Sequence, residues 1–156
     1  MKIVGRYSRI GRRARVRGRF QAVLALVAIA ASAPVACSPR PQASVVITSP
    51  ADGDTVRGTS VTITLSARGV TIAPAAEGRP GTAHHHLYFD TDMTPEGEPI
   101  PQGVSGVVHL GTGDSTYVWE NVAPGTHRII AVLADPAHVP LRPLAVDTVH
   151  IVVIQP

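Results

Sequence analysis

In residues 60–67, "SVTITLSA", the apolar Val61, Ile63 and Leu65 alternate with Thr62, Thr64 and Ser66. That period of two is the signature of a β-strand with one buried face. The same character predicts strands over residues 44–48, 84–90, 106–110, 116–120, 127–134 and 147–154. Turn chemistry separates them, in "SPADGD", "EGRPG", "TPEGEPIPQG", "GTGD", "APG" and "DPAHVPLRP". No stretch of this region keeps apolar residues at helical spacing without a Gly or Pro interrupting it. Seven short strands punctuated in this way point to an all-β fold, an immunoglobulin-like antiparallel β-sandwich over residues 44–156, with a small barrel as the other solution. Trp119, the single tryptophan, is expected in the core because its ring is the largest apolar unit available.

The N-terminal part is built differently. Lys2 and seven arginines precede an apolar run, "AVLALVAIAASA", and all 11 acidic residues follow it. A basic leader, about a dozen apolar residues and then small residues describe a secretory signal, since a membrane span needs about 20. The next residues, "PVACS", hold the only cysteine, and Val35, Ala36 and Cys37 resemble the end of a bacterial lipobox, although Pro34 stands where Leu is usual. Residues 1–36 are therefore expected to be a lipoprotein-type signal peptide, with Cys37 the acylated first mature residue and 37–43 a proline-rich tether. The implied location is the cell envelope, anchored at the outer membrane or its periplasmic face. Plain cleavage nearby, leaving a free thiol, is the alternative.

The leader also distorts the charge. The whole chain carries +3, but from Cys37 onward six arginines meet 11 acids and no lysine, a net charge of −5. An acidic domain without a basic face is a poor nucleic-acid binder. One cysteine rules out an internal disulfide, so burial has to hold the domain together.

Candidate chemistry lies in the histidines. "GTAHHHLYFD" places His84 and His86 on one face of a strand, and His85 with Leu87 on the other. Two residues along a strand are about 6.6 Å apart, a separation from which two imidazoles can converge on one ion. His109, His127 and His138, beside turns, form the pool for the remaining ligands. Asp90 is the expected carboxylate partner orienting an imidazole, His85 a structural or outer residue, and His150 an ordinary strand residue. With Cys37 spent and Met93 the only methionine after the leader, thiolate and thioether sites cannot be built. All-imidazole ligation suits zinc or copper as Cu(II).

"GTAHHHLYFD", "IPQGVSGVVHLGTGDS" and "VAPGTHRIIAVLADPAHVPLRP" together resemble a family of small bacterial exported domains of unknown function. Its pattern runs Gly-His-His-His-Leu-x-x-Asp, His-x-Gly-x-Gly, Pro-Gly-x-His-x-Leu and Asp-x-x-His-x-Pro. The matching positions are His84, His85, His86, Asp90, His109, Gly111, Gly113, Pro124, Gly125, His127, Asp135, His138 and Pro140. The chain departs from the pattern at Ala83, at "GDST" and at "LRPLAV". The resemblance implies a shared site and names no activity. Two functions follow as expectations: a lipid-anchored envelope protein that stores, delivers or senses a divalent metal, or an Ig-like module that binds an envelope protein or glycan over a histidine scaffold. Hydrolysis by metal-activated water would need an open ligand position and a base, and no spacing in the sequence demands one.

Overall fold

A computed structural model describes residues 41–155. The expected signal peptide and Cys37 lie outside the described residues. Nine strands follow in order: β1 (Ser44–Ser49), β2 (Thr55–Arg57), β3 (Val61–Arg68), β4 (Thr71–Ile72), β5 (Thr82–Phe89), β6 (Val107–Leu110), β7 (Thr116–Trp119), β8 (Gly125–Ala134) and β9 (Val146–Ile154). One 3-10 turn, Ala75–Glu77, interrupts them. They form two sheets, β1-β3-β7 and β2-β9-β8-β5-β4, with β6 also paired to β5. Two separate sheets make this an Ig-like β-sandwich rather than a closed barrel. Among the described residues no helix is long and apolar enough to cross a membrane.

All seven predicted strands form, within two residues of their expected ends. The two that periodicity misses, β2 and β4, have three and two residues and leave no room for an alternation. Both pair in parallel with a strand distant or offset in sequence, β2 with β9 and β4 with β5.

Alternation decides which residues meet between the sheets. Val45 and Ile47 of β1 and Val61, Ile63 and Leu65 of β3 face Leu87, Phe89, Ile129, Ala131, Leu133, Val149 and Ile151 of the larger sheet. Trp119 joins this core as expected, its ring stacked on Phe89 at 4.2 Å between centroids. The outer face of the larger sheet is covered too. Tyr88, Ile130, Val132 and Ala134 pack there against Ile100, with Met93 and Leu144 closing over them from the connecting segments. Pattern reading expects β5 to be half-buried, yet all eight of its residues are buried. It is an inner strand, paired with β8 on one side and with β6 and β4 on the other, and it has packing on both faces. Its outer face carries His84 and His86.

Candidate metal centre

Register brings the first three ligands together. β5 and β6 run antiparallel with His86 opposite His109, so His84, His86 and His109 share the outer face of the larger sheet. The fourth arrives through topology. His84 pairs with Ala134 at the end of β8, so the chain leaving β8 passes over the His84 end of β5. There the Asp135 carboxylate accepts the N–H groups of Ala137 at 2.9 Å and Val139 at 3.0 Å, while its carbonyl accepts the His138 N–H at 2.8 Å. Ile100 donates its N–H to the His138 carbonyl at 2.8 Å, and Pro140 bridges back to Ala134. These bonds hold His138 at a φ of 67°, a left-handed conformation uncommon outside glycine. Gly111 completes the site by lacking a side chain: a Cβ there would overlap the His109 ring.

The resulting group is compact. Ligand nitrogens of His84, His86, His109 and His138 all lie within 4.8 Å of one another. His84 Nε2 is 2.9 Å from His86 Nε2, and His138 Nε2 is 3.2 Å from His109 Nε2. Nitrogens at about 2.0 Å from a tetrahedral ion stand about 3.3 Å apart, so the two closest pairs already approach ligand spacing. His84 and His86 are fully buried, and His138 is only partly covered.

Electrostatics favour the neutral form of His84, His86 and His109. Burial lowers the His84 pKa to about 4, helped by the His109 and His138 rings and opposed by the Asp135 carboxylate. Burial lowers His86 further, to about 3, and the neighbouring imidazoles add to it. His109 is lowered as well, by burial and then by His138. Neutral imidazoles are the form that ligates, so at pH 7 the inner pair has no proton to lose. Each neutral ring offers one N–H and one lone pair, and His84 Nδ1 and His86 Nδ1 find no hydrogen-bond partner. A divalent ion would take the Nε2 lone pairs that now converge on one another, leaving each ring's proton on Nδ1. The donor set fits a borderline transition metal.

Two sequence expectations need correction. His127 does not join the group. β8 runs antiparallel to β5 with Ile129 opposite Phe89, so His127 lies beyond the Phe89 end of β5, away from His84, and on the inter-sheet side. There His127 Nδ1 donates to Asp90 Oδ2 at 2.7 Å and Nε2 to the Ala123 carbonyl at 2.8 Å, with its ring against Trp119. Asp90 does orient an imidazole, but that of His127. His85 faces the inter-sheet side as expected and donates Nδ1–H to the Asp114 carbonyl at 3.0 Å. Burial lowers its pKa despite that bond. Gln102, whose carboxamide N–H donates to His138 Nε2 at 3.1 Å, lies in a loop with no sequence pattern to mark it. The roles of Gly111 and Asp135 were visible only as positions of the resembled pattern.

Fold and site together define an Ig-like β-sandwich with four imidazoles converging on the outer face of one sheet. The chain belongs to the DUF4399 family, a domain of unknown function, which matches residues 63–154 and so includes all four histidines. No curated protein matches it. Similar solved structures include an engineered protein at 18% identity and TM-score 0.45, covering 74% of this chain and 21% of that one. A fibronectin(III)-like module structure of Clostridium thermocellum CbhA is 19% identical at TM-score 0.43, covering 71% of this chain and 96% of that one. The extracellular domain of a hybrid two-component system from B. thetaiotaomicron is 10% identical at TM-score 0.43, covering 72% of this chain and 15% of that one. The chain thus spans about a fifth of the engineered protein's length.

Proposed function

We propose that this domain is an exported metal-binding module in which His84, His86, His109 and His138 hold one divalent transition-metal ion, Cu(II) or Zn(II). The observation that carries the reading is the convergence of four imidazoles within 4.8 Å on one covered sheet face. Four imidazole ligands fill a tetrahedral set, whereas catalytic zinc keeps an open position, which favours binding over hydrolysis. Residues 1–36 serve as the export signal, lipid on Cys37 anchors the chain in the envelope, and residues 37–43 tether the domain. A basic leader followed by an apolar run supports this placement. The scaffold role of the interaction-module reading suits His127, whose two nitrogens meet a carboxylate and a carbonyl, and His85 through its Nδ1 alone. It does not suit the four whose nitrogens meet one another.

Metal content is the test. Ser38–Pro156, a compact unit of its own, is dialysed against Zn(II) and Cu(II) and then against buffer, and bound metal is counted by elemental mass spectrometry. About one ion per chain is expected. A folded protein that retains none would sink the proposal.

A further inference from the structure

The four ligands are not equivalent, and the inequality says how the site is used. His84 and His86 are fixed on an inner strand and fully buried. His109 stands on β6, which pairs only with β5, and His138 on a loop residue at a φ of 67°. Both are less covered than the inner pair. The inner rings also lack the hydrogen-bond acceptors at Nδ1 that usually lock a histidine ligand in place. Finally, the exposed Gln102 carboxamide donates to His138 Nε2. That bond selects the tautomer with its proton on Nδ1, and it engages the lone pair that a metal ion would take.

We infer that the cluster is an exchange site, which passes its ion to an acceptor bearing nitrogen or sulfur donors through the His109–His138 side, with Gln102 recapturing His138 on release. This rests on the metal-binding reading and selects delivery from among storage, delivery and sensing. In the exchange the acceptor's donor atom forms a bond to the ion as the bond to His138 Nε2 breaks, with no change of oxidation state. The freed Nε2 lone pair then accepts the Gln102 N–H, and His84 and His86 hold the ion until the acceptor completes its own set. Because Gln102 competes with the ion for one lone pair, it weakens binding and speeds departure together.

The test uses Zn(II)-loaded Ser38–Pro156 mixed with an excess of a chromophoric nitrogen-donor chelator, with transfer followed by stopped-flow absorbance. For the wild type, the rate is expected to rise with chelator concentration. Gln102→Ala should bind Zn(II) more tightly and transfer it more slowly, each by roughly two- to tenfold, the range of a single hydrogen bond. Gln102 is exposed and its side chain bonds to His138, so the fold is not at stake. Zinc bound through His84 and His86, with a concentration-independent rate and no effect of Gln102→Ala, would overturn the exchange inference and leave the metal site standing. No zinc bound by the folded wild type would overturn both.

Discussion

Four histidines at one end of β5 and a single one, His127, at the other differ in what faces the ring nitrogens. At the His84 end four imidazoles meet each other, with no carboxylate bonded to any of them. At the Phe89 end His127 meets only acceptors, the Asp90 carboxylate at Nδ1 and the Ala123 carbonyl at Nε2. The first environment favours the neutral form of the buried His84 and His86 and leaves their lone pairs free. The second favours the doubly protonated imidazolium, and the His127 pKa is raised: burial works against the charge, but the Asp90 bond and the Ala123 carbonyl outweigh it. A histidine's role here is decided by its partners, while its place beside a turn says little.

The strongest way to break this contrast is to exchange the losses. His84→Ala with His86→Ala should abolish metal uptake, whereas His127→Gln should leave about one ion per chain by elemental analysis. Removing two buried rings leaves cavities costing about 2–5 kcal/mol each, so circular dichroism must accompany the count. Gly111→Ala is the milder version, displacing the His109 ring by a methyl group rather than deleting it. Its metal affinity should fall about ten- to a hundredfold, as when a ligand's support is disturbed, with an unchanged circular dichroism spectrum. Equal affinity in the variant would remove His109 from the site.

Protonation sharpens the contrast because the two ends predict opposite slopes. His84 and His86 have lower pKa values folded than the 6.5 expected unfolded, about 4 and about 3. Between those limits the unfolded chain binds more protons, so metal-free protein should lose stability as pH falls from about 6.5 toward 4. Protons should compete for the lone pairs of the inner pair only at a lower pH than they would for free imidazoles. His127 has the reverse sign. Its contribution is fully present below about pH 6.5 and fades as pH rises through the raised folded value. Denaturant midpoints of wild type and His127→Gln should therefore differ most near pH 6 and converge toward pH 9. The smallest effect expected is from Asp90→Asn, about 1 kcal/mol at pH 6, because Asp90 is half exposed and water screens the pair. Its metal content should not change.

Much of this was legible from alternation. Period two located the strands that carry hydrophobic faces and put His84 and His86 on one face with His85 on the other, because that geometry is local. β2 and β4 escaped because two or three residues carry no period. The failure at His127 is of another kind. Turn proximity reveals that a residue lies at a strand end but not which end, and only the antiparallel register of β8 with β5 sends His127 and His138 to opposite ends of the sheet. Gln102 is a contact between loops 36 residues apart and left no local trace.

The most direct measurement is X-ray absorption at the metal edge of the loaded domain. The account predicts a first shell of about four nitrogens near 2.0 Å with outer-shell scattering from imidazole rings, lost in His84→Ala, His86→Ala and kept in His127→Gln. An oxygen-dominated shell, or an imidazole shell that survives without His84 and His86, would contradict it.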